Sequence, residues 1–153
     1  MGIRGKIFLV LFLVFVFIQF VRPERNIKQV GEWDITNHFY IPTDVKSMLK
    51  TSCYDCHSNN TSYPWYVNIQ PIGWLLEYHV KDGKADLNFD EFGIYTKRMR
   101  LSKLKSIVSQ IKDGEMPLYS YTLLNKDAKL SKMKKKLIID WTNKTIDSLE
   151  EEN

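Results

Sequence analysis

The chain has two cysteines, and both stand in one five-residue run, Cys53-Tyr54-Asp55-Cys56-His57. Two thiols at this spacing on a helical turn match the two vinyl groups of a haem, and the adjacent imidazole then points at the iron as an axial ligand. The chemistry expected is one covalent c-type haem per chain, held by Cys53, Cys56 and His57. Three other uses of the same residues make different demands. A thioredoxin-like dithiol follows a strand in an α/β domain, whereas the pattern before Cys53 is helical. A zinc site needs further ligands, and beyond the motif only His38, His79 or carboxylates could supply them. A disulfide across Cys-x-x-Cys closes too small a loop to stabilise much.

A second axial ligand is expected from Met116. It lies in Gly114-Glu115-Met116-Pro117, a loop by its glycine and proline punctuation. A thioether is a soft donor that favours ferrous iron, and Pro117 stiffens the loop. Met48 and Met133 fall on expected helices, where methionine fills core gaps, and Met99 lies in a basic stretch. His79 is the rival ligand, on the apolar face of its helix. His38 is a weaker one, in an expected linker. Tyr63-Pro64-Trp65-Tyr66 and Trp74 are candidates to wall the macrocycle, with Trp65, Tyr66 and Trp74 as cofactor-binding residues. Lys97, Arg98 and Arg100 could neutralise propionates or face an acidic partner, although such clusters are more often solvated.

Four short helices are expected to position these groups. Thr43 can cap a helix carrying Val45, Met48 and Leu49 that runs into Cys53. Pro71 opens a second with Ile72, Leu75, Leu76, His79 and Val80 on one face, and Gly83 is a stop signal. Ser102 can cap a third through Leu104, Ile107, Val108 and Ile111 to Gly114. Ser131 can cap a last one with Leu137, Ile138 and Trp141 inward and lysines outward. Leu87 to Phe92 carries no clear pattern. No run alternates long enough to be a strand. The fold class is all-α: a bundle of short helices around one haem.

Length allows one domain. The net charge is +4, but Arg4, Lys6 and Arg22 supply three of those charges, and residues 1–22 hold no acid. What remains is nearly neutral, which argues against nucleic-acid binding. Ile7 to Val21 is apolar except for Gln19. Such a run spans roughly 22 Å, short of a ~30 Å hydrocarbon core. With basic flanks and no small-x-small cleavage site, it reads as an uncleaved signal anchor, Lys6 and Arg22 snorkelling to the interfaces. The organisation expected is an anchor at 1–22, a linker at 23–41, a haem domain at 42–146 and an acidic tail at 147–153. Its location would be the periplasmic side of the cytoplasmic membrane.

Cys53 to Trp65 reads CYDCHSNNTSYPW, followed by Tyr66, Gln70-Pro71-Ile72-Gly73-Trp74, Leu87-Asn88-Phe89, Gly114-Glu115-Met116-Pro117 and a closing helix from Leu130-Ser131 with Trp141. This combination resembles the small haem-binding domain family of membrane-anchored, cytochrome-c-like bacterial proteins, over roughly Pro42 to Thr142. The resemblance implies a cytochrome-c-like fold, His57 as proximal ligand and Met116 as distal ligand. Leu118 and Asn125 depart from the pattern, where a second proline or a small residue, and a histidine, are usual. The function expected is one-electron transfer to a redox partner protein, with no catalytic residues. A haem-based sensor with a labile sixth ligand is the alternative. An enzyme, either a peroxidase-like site with His79 as distal base or a thiol-disulfide oxidoreductase, is a third.

Overall fold

The computed structural model describes residues 2–28 and 31–151. Among them the regular structure is helical: α1 (Ile3–Ile18), α2 (Thr43–Ser52), α3 (Tyr54–His57), α4 (Ile72–Asp86), α5 (Lys97–Asp113), α6 (Tyr119–Leu124) and α7 (Lys132–Glu151). Short 3-10 turns and one isolated bridge, between Ile27 and Asn60, complete it. The fold is all-α, as the patterning predicts.

The core is built where α5 and α7 pack along each other, with α2 laid against α7. Leu104, Val108 and Ile111 form one buried stripe on α5, and Ile138, Trp141, Thr142, Thr145, Ile146 and Leu149 another on α7. Both stripes recur at three- and four-residue steps, the spacing of one helix face. The two buried threonines of α7 satisfy their hydroxyls on the carbonyls one turn back, at Ile138 (2.7 Å) and Trp141 (3.0 Å). Ser131 caps α7 as expected, its hydroxyl accepting from the Lys134 amide. Leu149 is buried and Glu150 pairs with Lys105. The acidic end is therefore the last turn of a packed helix through Glu151 and not a loose tail.

Two helices have other bounds than the sequence signals suggest. Helix α5 begins at Lys97, capped by Thr96 through the Met99 amide, and Ser102 lies inside it. The basic run 97–100 is tolerated at its start because Leu101 packs on the core. Helix α4 continues past Gly83 to Asp86, for a reason that belongs to the site. Leu87 to Ile94 forms a corner buried from Leu87 to Asp90 and at Phe92 and Gly93, with Asn88 accepting from the Asp90 amide and Phe89 and Phe92 almost fully enclosed.

The stretch expected as a linker is largely built into the domain. Ile35 and Asp34 are buried in a 3-10 turn, and Asn26 donates to the Ser58 carbonyl and to Thr61 Oγ1. Asp34 meets Asp90, both 3 % exposed, within hydrogen-bonding reach. Asp90 Oδ2 accepts from the Asn59 amide, but Oδ1 has no donor. Burial raises the Asp90 pKa above its ordinary value of 3.8 against the pull of that amide, and Asp34 and Glu91 raise it further. A native state that holds this proton more tightly than the unfolded chain loses stability as pH rises through that interval. Asp90→Asn keeps an acceptor for Asn59 and adds a donor toward Asp34. It is expected to stabilise the fold by about 1 kcal/mol at pH 7 and by less at pH 4. Urea midpoints at the two pH values check this; equal or reversed gains would contradict it.

Helix α1 has no buried residue and is apolar on all sides beyond Lys6. Its 16 residues come to roughly 24 Å. No helix among the described residues is long and apolar enough to cross a membrane, so the expected spanning anchor is not found. Just beyond it, the chain docks on the domain. Gln19 exchanges two hydrogen bonds with the Gln70 backbone, and the Trp74 indole donates to the Val21 carbonyl at 2.8 Å.

Candidate functional site

Helix α2 ends at Cys53, where the chain bends into α3 and presents Cys53, Cys56 and His57 toward α4 and α5. The two residues between the cysteines fix this turn. Tyr54 stacks on Phe89 at 4.9 Å and 11°. Asp55 accepts from the Ser62 amide and from the Tyr121 hydroxyl, joining the motif to the following loop and to α6. Burial and the adjacent Asp55 carboxylate together push the Tyr121 phenol well above its ordinary range.

His57 is oriented by backbone. Its Nδ1 lies 2.8 Å from the Gly83 carbonyl and 3.1 Å from the Leu87 carbonyl. Both partners only accept, so Nδ1 carries the hydrogen and Nε2 is left with a free lone pair. Burial lowers the pKa of the ring, opposed by the two carbonyls and Asp86. A neutral imidazole with one nitrogen pinned to carbonyls is the state a metal ligand requires. Helix α4 must pass very close for this. A Cβ on Gly83 would stand 2.8 Å from the Cys56 carbonyl and 3.3 Å from His57 Cε1. Gly83 is thus a packing residue inside the helix, and the stop its type suggests falls after Asp86.

Both thiols are free. Burial pushes Cys53 up to about 12, with Cys56 adding to it, and pushes Cys56 up to about 11, with Asp55 adding. A redox dithiol needs the opposite, a thiolate stabilised near neutral pH.

The groups face one cleft with two chambers, of about 290 Å³ and 250 Å³. Cys53, His57, Met116 and Pro117 line both. Met116 is placed by the end of α5. Gly114 takes a left-handed conformation (φ 80°), and the amides of Glu115 and Met116 both reach back to the Gln110 carbonyl. That reversal is the usual end of a helix at glycine. The larger chamber is walled mainly by Leu49, Leu87, Phe89, Ile107, Ile111 and Leu130. His79 lines the smaller one with Tyr78 and Tyr121.

The expected aromatic walls stand elsewhere. Trp65 is 76 % exposed, Trp74 holds the segment after α1, and Tyr66 accepts from Asn125 Nδ2. None of the three lines either chamber. The turn at Trp65–Asn68 packs on α4, and Trp74 is taken up by the segment after α1. Lys97 and Arg98 line a separate surface groove, and Arg100 donates to the Gly93 carbonyl. His38 packs on Gly93 and stacks on Trp33, remote from both chambers. The residues that sequence reasoning missed are Phe89, Gly83 and Tyr121. The signal that could have found one of them is Asn88, a turn-capping residue type directly before Phe89.

The donor set fits a haem: two neutral thiols, a tautomer with Nε2 free, a thioether lining the same cleft, and apolar walls. Comparison with known proteins agrees. A family described as "Haem-binding domain" matches residues 13–144, beginning inside α1 and so including the docked segment. No curated protein matches the chain, and no solved structure does. The chain belongs to the haem-binding domain family.

Proposed function

We propose that this haem-binding protein is a mono-haem c-type electron carrier on the outer side of the cytoplasmic membrane. The observation that carries the reading is His57, whose Nδ1 is held by two carbonyls while its ring faces the cleft shared with Cys53 and Met116. Cys53 and Cys56 would hold the group by thioethers, and His57 and Met116 would ligate the iron. A bound haem supplies one-electron exchange at iron. The Gly83 and Leu87 carbonyls fix the His57 ring, and the Gln110 carbonyl fixes the main chain of Met116. Ligands held that firmly move little when charge changes, which favours transfer over substrate binding. The apolar chamber walls exclude water and favour the less charged ferrous state. We assign no catalytic residue. The partner would be a redox protein meeting an exposed haem edge through a small transient interface.

Export is supported by the chemistry of the thioethers, which form outside the cytoplasm, and by α1. A helix apolar on every side needs lipid or protein around it. Lodged in the outer part of the bilayer with Arg22 at the surface, it would tether the domain.

The test is absorption spectroscopy of protein matured in a host that makes c-type cytochromes. Wild type is expected to keep its haem through acid-acetone extraction and to show a sulfur-to-iron charge-transfer band when oxidised. Met116→Ala is expected to keep the haem and lose the band. An indifferent mutant would remove Met116 and point to His79 or an open, ligand-sensing iron. A chain without haem would overturn the cytochrome reading.

A further inference from the structure

The cleft is electrostatically lopsided, and this bears on how a haem would lie in it. The smaller chamber is lined by Cys56 together with Asp82 and Asp86, and by no lysine or arginine. The larger chamber lacks Cys56. Its apolar surface is broken along α5 by a polar row, Ser102, Ser106 and Gln110, with Lys103 beside it. Residues four apart stand one above another on a helix, so these side chains line a single edge of the chamber. Lys103 makes no ion pair among the described residues, unlike its neighbour Lys105, which is paired with Glu150 at 2.8 Å.

We propose that this α5 row is the propionate site: Lys103 supplies the counter-charge and Ser102, Ser106 and Gln110 the neutral donors. The inference rests on the haem reading. In a haem the two vinyl groups lie on one edge of the macrocycle and the two propionates on the opposite edge. Thioethers to Cys53 and Cys56 fix the vinyl edge at the motif, beside the smaller chamber. The carboxylate edge then extends away from Cys56, into the larger one. Charge selects the same direction, because propionates turned the other way would meet Asp82 in a chamber lined by no lysine or arginine. Asp86 lines both chambers and disfavours neither. Gln110 also anchors Met116 through its carbonyl, so the propionate site and the distal ligand share one turn of α5.

The experiment is spectroelectrochemical titration of the holoprotein from pH 5 to 9, comparing wild type, Lys103→Ala and Lys105→Ala. Each variant removes one positive charge from α5, two residues apart, so the global charge effect is shared. A lost cation near the iron disfavours the ferrous state. Lys103→Ala is expected to lower the midpoint potential by at least about twice the shift in Lys105→Ala, because the interaction falls with distance and with exposure. It is also expected to move the pH at which the potential begins to change, which reports propionate ionisation. Equal shifts, with an unmoved pH profile, would overturn the assignment while leaving the haem in place. Failure of the haem reading is separate: wild type would then carry no haem to titrate.

Discussion

Gly83→Val is expected to disorganise the site and to cost about 2 kcal/mol of stability in the haem-free chain. Two effects compete at this position. Valine is the better helix former than glycine, by a few tenths of a kcal/mol. Against that, a Cβ would stand 2.8 Å from the Cys56 carbonyl and 3.3 Å from both Cys56 Cβ and His57 Cε1. The closest atom is backbone of α3, itself tied to the Thr61-Ser62 loop and to Tyr121 through Asp55. It cannot swing aside as a flexible side chain would, so overpacking wins. Helix α4 must withdraw, and the carbonyls of Gly83 and Leu87 withdraw with it. Each lost hydrogen bond costs about 1 kcal/mol, and His57 loses its fixed tautomer. In the holoprotein the measurement is the low-spin spectrum, expected to give way to a mixture of ligation states. Gly31→Val is the control, since nothing lies within 4 Å of a Cβ there. Equal behaviour of the two variants would refute the packing role.

Phe89→Ala is expected to cost about 3–5 kcal/mol, a large fraction of the roughly 5–15 kcal/mol that holds a domain folded. Phe89 is 1 % exposed. It stacks on Tyr54, meets His57 edge-on at 6.4 Å and walls the larger chamber. Truncation removes one floor from the core and the cleft at once, and the cavity adjoins the existing chamber, so little can close over it. Phe89→Leu retains most of the volume and is expected to cost less than about half as much. Thermal unfolding of the haem-free proteins checks both; on the order of 10 °C should separate wild type from the alanine variant. A loss below about 1 kcal/mol would show that the corner at Leu87–Ile94 repacks freely, against the burial described.

How far the sequence carried each element follows from the kind of signal it left. The last helix was legible because its buried face repeats at helical spacing from Ile138 to Leu149 and Ser131 marks its start. Helix α5 was legible in its face and its glycine end. Its start was not, because a run of basic residues hides the cap at Thr96 behind a polar surface. The corner around Phe89 shows no period, since a 3-10 turn of six residues is too short to have one. The segment 23–41 reads as a linker by composition, yet Asn26, Asp34 and Ile35 are buried and backbone hydrogen bonds from Lys28 to Asn59, Thr61 to Asn26 and Gly93 to Trp33 fasten it to the domain.

The site divides in the same way. Cys53, Cys56 and His57 were legible in local sequence, because the proposed thioethers and iron ligand would need three groups within one helical turn. Met116 was marked by the turn chemistry of Gly114 and Pro117. What the tertiary structure alone decided is which distant groups surround them. It put Gly83 against His57 and set Trp65, Tyr66 and Trp74 outside the cleft. It also turned Lys103, rather than Lys97, Arg98 or Arg100, toward its larger chamber. Residue type records that a side chain can pack, stack or carry charge. The neighbour it meets depends on how whole helices cross, and no local pattern encodes that.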